Sequence, residues 1–169
     1  MDRNRLAETA ESEARKFYHG FVMETESNIG EIISHFPKWT LEEADGNWCA
    51  AFVYHCCVLA GFGLPIRPKE CVSSHLAGCA AWEEWAKDDP RIAYHPAAEG
   101  YAPQCGDIVL FDRVFCGAEH DHIGVVLASS PDSITVAEGN INNLSGVIRR
   151  RRDGHIRAYI SIPDGFIYE

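Results

Sequence analysis

The hydrophobic period changes once along this chain, and that change limits its fold more than any other feature. Before Gly106 apolar residues recur at three- and four-residue steps, and after it they sit in short β-branched runs separated by turn residues. Leu6, Ala10, Ala14, Phe17, Tyr18 and Phe21 make one helical face. Asn28 and Glu31 form a capping pair ahead of a stripe of Ile29, Ile32, Ile33 and Phe36, which Pro37 ends. A third helix begins after Asp45-Gly46-Asn47, runs through WCAAFVYHCCVLA and stops at Gly61. A fourth follows Ser73-Ser74, with Leu76, Cys79, Ala80 and Ala86 inward. The segments GDIVLF, HIGVVLA, SITVAE, GVIRRR and HIRAYISI read as strands. Helices first and consecutive strands afterwards imply an α+β domain, N-terminal helices packed on a C-terminal antiparallel sheet.

Several functional classes fall away on composition. At 169 residues and 46% hydrophobic content the chain suits one core. No apolar run approaches the roughly 18 residues that cross a bilayer, so no membrane span is expected. The opening MDRNRLAETAESEARKF is too acidic for a signal peptide, so the expected location is cytoplasmic as synthesised, with release to a cell wall by another route as the alternative. A net charge of −10 argues against nucleic acid as a partner. The run Arg149 to Arg152 alternates faces in a strand and reads as a solvated or salt-bridged edge. A monomer is expected. Seven cysteines cannot all pair, and without an export signal they are expected to stay reduced. Cys56, Cys57 and Cys79 lie among apolar helical residues and read as small hydrophobes.

Cys49 differs from the others by its place in the first turn of the third helix, where unpaired N–H groups favour the thiolate. That is the nucleophilic form. A hairpin turning about Ser130 would set Val126 against Ile134, Gly124 against Val136 and His122 against Glu138, all on one face. A slip of one residue would separate the imidazole from the carboxylate. Held together, they make a base with a fixed tautomer, and Asn140 could add to or replace the orienting group. Zinc competes for Cys116, His120, Asp121 and His122, but neither a C-x-x-C pair nor an H-E-x-x-H helix is present. Glu42, Glu43 and Asp45 lack the spacing of a calcium loop. No metal or other cofactor is expected, and His55 reads as packed or surface-exposed.

Four stretches then follow in order: Trp48-Cys49-Ala50-Ala51-Phe52-Val53, Gly106-Asp107-Ile108-Val109-Leu110-Phe111-Asp112, His122-Ile123-Gly124-Val125-Val126 and Glu138-Gly139-Asn140. Together they resemble the CHAP family of cysteine- and histidine-dependent amidohydrolases and peptidases, over residues 47 to 163. The resemblance implies a papain-like α+β fold, Cys49 as nucleophile, His122 as base, Glu138 as its orienting group and Asn140 as a further polar member. It implies cleavage of an amide bond through a thioester, most often in bacterial peptidoglycan peptides, so the expected partner is a peptide or peptidoglycan fragment. The Cys49 backbone N–H would hold the oxyanion, with Asn47 or Trp48 as oxyanion or substrate contacts. Asp107 is expected to secure a turn. Acyl transfer by the same nucleophile, or a non-catalytic binding domain on the scaffold, are the alternatives. Residues 1–46 match no family motif and read as a helical extension packed on a catalytic domain of residues 47–169.

Overall fold

The structure is a computed structural model that describes residues 3–21 and 26–169. The remaining positions of the expected extension lie outside the described residues. Five α-helices come first: α1 Arg3–Ala14, α2 Gly30–Ile33, α3 Leu41–Ala44, α4 Cys49–Ala60 and α5 Cys79–Asp88. Strands β1 Ala93–Pro96, β2 Ile108–Phe111, β3 His122–Ser129, β4 Ser133–Ile141, β5 Leu144–Arg151 and β6 Ile156–Ser161 follow. They form one antiparallel sheet in the order β1-β6-β2-β3-β4-β5.

Because strand side chains alternate, the sheet has two apolar faces. Ile108, Leu110, Ile123, Val125, Ala137 and Ile160 join the helices in the main core. Val109, Phe111, Val126, Ile134, Val136 and Tyr159 form a second cluster on the other face. Helix α4 runs through the main core with nearly every residue buried, and its C-terminus is closed by Gly61 at φ +92°, a left-handed position suited to glycine. It can lie against β4 because Gly139 has no side chain: a Cβ there would stand 2.5 Å from Phe52 Cβ.

The N-terminal helices depart from the expected pattern at their ends. Helix α1 buries Leu6, Ala10 and Ala14 but stops at Ala14. Tyr18 is buried beyond it, whereas Phe17 is 76% exposed and Phe21 42% exposed. Ile29, Ile32, Ile33 and Phe36 are all buried as expected, yet α2 is a single turn. Asn28 does not cap it. Its side chain instead bonds His19 N and Phe17 O, tying the preceding loop together. Thr40 and Glu43 build a reciprocal capping box on α3, a helix the period analysis passes over because one turn is too short to show a period. Helix α5 starts four residues later than the Ser73-Ser74 signal suggests, since Leu76 is buried in the segment before it and Gly78 is its N-cap. Cys79 is therefore the first residue of α5 rather than an interior one. The short strand β1 pairs with β6 and has no β-branched run to announce it.

The hairpin of β3 and β4 corrects the expected register. Near the turn Ser129 pairs with Ile134 and Ala128 with Thr135; past a bulge at Leu127, Val126 pairs with Val136 and Val125 with Ala137. The pairing differs from expectation by two residues, and a shift of two leaves every side chain on its face. Without the bulge the offset would be odd, and Glu138 would turn away from His122. Asp107 secures its turn as expected, its carboxylate accepting from Gln104 N, Tyr101 Oη and Ser161 Oγ.

Candidate active site

Cys49 is the first residue of α4 and His122 the first of β3, so each functional group stands at the end of a rigid element. The ends meet at a cleft of about 620 Å³ whose lining includes Asn47, Cys49, Cys79, Cys116, Asp121 and Asn140. His122 and Glu138 are fully buried, and His122 Nε2 lies 2.6 Å from Glu138 Oε2. Gly124 makes that contact possible. A Cβ on Gly124 would stand 2.4 Å from Val136 Cγ1 and 2.9 Å from Glu138 Cγ, so the carboxylate arm passes over the space a side chain would fill.

The Glu138 bond occupies Nε2, and the buried Nδ1 of His122 has no hydrogen-bond partner among the described residues. Nδ1 is thus the nitrogen available to exchange a proton with sulfur. Phe111 stacks on the imidazole at 5.9 Å between ring centroids, and Phe115 meets it edge-on at 4.8 Å. These two rings cover the imidazole.

Electrostatics favour a charged pair. The Cys49 thiol is pulled down to about 5, chiefly by the hydrogen bond from the Cys79 thiol. Burial opposes this shift, while the neighbouring His122 imidazolium and the Ala50 N–H reinforce it. The two sulfurs are 3.6 Å apart. Burial alone would lower the pKa of His122, but the neighbouring Cys49 sulfur and the Glu138 carboxylate outweigh that and lift it to about 9. Burial likewise works against the charge on Glu138, yet Arg150 and His122 hold its carboxyl below the usual range.

Arg150 is the member that sequence reasoning missed. Its Nε and NH2 donate to the two oxygens of Glu138 at 2.5 and 2.7 Å, a bidentate pair in which the arginine side chain is only 16% exposed. Its guanidinium also covers the rings of Phe111 and Phe115. Edge position and alternation of the arginine run were expected and are found. A run of four like charges carries no mark of which one folds inward.

The other expected contributors divide. Asn140 lines the cleft, but its amide donates to Gly46 O at 2.9 Å, so it holds the loop before α4. Asn47 is exposed on the cleft wall, and Trp48 rather than Asn47 is the N-cap of α4. Trp48 is completely buried, with Nε1 donating to Asn143 Oδ1 at 2.8 Å, so its side chain anchors the helix start and does not face a ligand. Asn143 also accepts from Gly46 N and donates to Asp45 Oδ1 and Phe21 O. Asn140, Asn142 and Asn143 all have positive φ, a conformation asparagine tolerates better than most residues.

The zinc ligands weighed from sequence go separate ways: His122 to Glu138, His120 to Glu83, and Asp121 Oδ2 to the N–H groups of Phe115 and Cys116. Elsewhere Glu13, Glu31 and His55 bring ligand atoms within 4.8 Å of one another. That set is closed by its own bonds, Glu13 to Lys16 and Tyr18, and His55 to His35. No disulfide joins the cysteines among the described residues.

An antiparallel sheet with a cysteine-bearing helix packed on it is a papain-like α+β fold. The sequence profile of the CHAP domain matches residues 42–140, more than half of the chain, and the chain belongs to that family. The crystal structure of Ly7917 superposes with a TM-score of 0.54 at 14% identity, covering 96% of this chain and 63% of that one, a likeness of fold. The chain thus spans less than two thirds of that structure's length. An N-acetylmuramoyl-L-alanine amidase from Bacteroides uniformis ATCC 8492 aligns over 92% of this chain and 97% of its own, at 12% identity and a TM-score of 0.46. No curated protein matches the chain.

Proposed function

We propose that this chain is a cysteine amidohydrolase that cleaves an amide bond in peptidoglycan peptides. The observation that carries this reading is the meeting of the Cys49 thiol with the buried His122–Glu138 pair at the edge of an open cleft. Membership of the CHAP family supports the amide bond as target, and the peptidoglycan substrate rests on the family resemblance.

The Cys49 thiolate attacks the carbonyl carbon, and the developing oxyanion is held by the first-turn N–H of Cys49, which helix geometry leaves without an intrahelical acceptor. Asn47, on the cleft wall just upstream, is the second donor. Protonated His122 gives its Nδ1 proton to the departing amine, leaving a thioester on Cys49. Water then enters, His122 accepts its proton, and the thioester is hydrolysed. Glu138 fixes the ring through Nε2 and stabilises the imidazolium, with Arg150 holding Glu138 in place.

The test is mass spectrometry of purified peptidoglycan fragments after incubation with the protein and with its Cys49→Ala variant. New termini at one amide bond with the native chain alone are expected. Full activity in Cys49→Ala, or intact fragments with the native chain, ends the proposal.

A further inference from the structure

Two helices end at this cleft, and each presents a cysteine as its first residue. Cys49 opens α4 and Cys79 opens α5; both side chains are buried against each other and both line the cleft. Their sulfurs are 3.6 Å apart, in contact, against about 2.05 Å in a disulfide. We propose that Cys79 is a resolving cysteine, and that Cys49 and Cys79 form a reversible disulfide when the nucleophile is oxidised by a hydroperoxide.

The inference uses the activated thiol of the proposed function but not the bond that thiol cleaves. In the first step the Cys49 thiolate attacks one peroxide oxygen. An S–O bond forms, the O–O bond breaks, and the leaving oxygen takes up a proton and departs as an alcohol, or as water from hydrogen peroxide. Cysteine sulfur is oxidised by two electrons and the peroxide is reduced. In the second step the Cys79 sulfur attacks the Cys49 sulfur. The S–S bond forms, the S–O bond breaks, and hydroxide leaves as water with the proton from Cys79. A dithiol reverses the product by exchange.

The electrostatics suit this order. While Cys49 is a thiolate, its bond and its charge, with burial, keep Cys79 protonated and inert, so one thiol of the pair reacts first. Converting Cys49 to a neutral sulfenic acid removes that charge, so that burial and Asp121 are what still oppose ionisation of Cys79. Other thiols are placed differently. Cys56 and Cys57 lie in the apolar core of α4, where burial raises them. The Cys71 thiol is bonded to Ala81 O. Cys116 is exposed on the same cleft wall and is the competitor to exclude.

The experiment exposes the full chain to hydrogen peroxide, quenches with an alkylating agent, and reads intact mass and linked peptides. The native chain is expected to lose two hydrogens, to yield one linked pair of peptides carrying Cys49 and Cys79, and to regain both thiols with dithiothreitol. Cys79→Ser is expected to gain oxygen on Cys49 instead, in a form that dithiothreitol does not restore after prolonged exposure. Cys116→Ser should behave as the native chain. Linkage of Cys49 to Cys116, the same products from Cys79→Ser and the native chain, or no reaction at Cys49 overturns the proposal. The linkage map of the native chain decides even if Cys79→Ser fails to fold. Because the readout is mass, failure here leaves the amidase assay untouched, and a negative amidase assay leaves this one standing.

Discussion

Among the described residues two histidine–glutamate pairs have both members buried, and they differ in how completely each is bonded. His55 Nε2 lies 3.2 Å from Glu13 Oε2 and its Nδ1 lies 2.9 Å from His35 Nε2, so both ring nitrogens are in use. Glu13 is further bonded to Tyr18 and to Lys16. His122 is as deeply buried, yet among the described residues Nε2 alone is bonded and Nδ1 has no hydrogen-bond partner. The first pair is a closed polar knot between α1 and α4 that satisfies groups folding would otherwise strand. The second is held open on one side, next to a thiol. Burial and a carboxylate partner are common to both, so the proposed reactivity of the second rests on its incomplete hydrogen-bond set and on the thiol beside it.

The sharpest way to break this comparison is to remove each imidazole in turn. His122→Ala is expected to lower kcat/KM by about 100- to 10,000-fold, the range of general acid–base catalysis. His55→Ala should leave kcat/KM near the native value and cost about 1–3 kcal/mol of stability, as expected for buried partners left unpaired. Assays and thermal melts of both variants check this, and equal losses of activity would collapse the distinction. Next in size is Gly124→Ala. Its methyl group would push against Glu138 and Val136, and an ångström of displacement at the base can cost about 100-fold in rate. A native rate in that variant would show that the carboxylate arm has other room.

Arg150→Met tests whether the open pair needs external support. Removing the cation leaves a buried carboxylate with His122 alone, at a cost of up to about 3–5 kcal/mol, read by denaturant unfolding alongside a fall in kcat. No counterpart substitution around His55 should reduce kcat. The smallest effect is the most diagnostic of the charged pair. Activity should fall below a pH of about 5 as Cys49 is protonated, and above about 9 as His122 loses its proton. Glu138→Gln should pull the alkaline limb downward by removing the charge that stabilises the imidazolium. A single limb near neutrality, unmoved by Glu138→Gln, would count against the assignment of the two groups.

The reactive pair was more legible in the sequence than the closed one. Cys49 stood at a marked helix start, and alternation placed His122 and Glu138 on one face even though the register was two residues off. That error did no harm because the bulge at Leu127 restored the parity; nothing in HIGVVLA distinguishes a bulged strand from a regular one. His35, Glu13 and Tyr18 come from separate segments whose meeting with His55 depends on how α1 and α2 dock, and no local period encodes docking. Arg150 was hidden among like neighbours, and Cys79, buried as expected, was not placed at a helix start because that helix was begun too early. Both are contacts between distant segments. The ends of the elements, where the chemistry lies, were also where the period carried least information.

Asn143 gives the cleft a mechanical property. One side chain in the β4–β5 turn grips Gly46, Trp48, Asp45 and Phe21, and so ties the start of the nucleophile helix to the far end of the sheet. It also borders the cleft itself. A guest that fills the cleft therefore presses on the same clamp that seats Cys49, and occupancy should slow amide hydrogen exchange at Gly46 and in the first turn of α4 together. Loosening that clamp would disarm the thiol while the sheet behind it stayed whole.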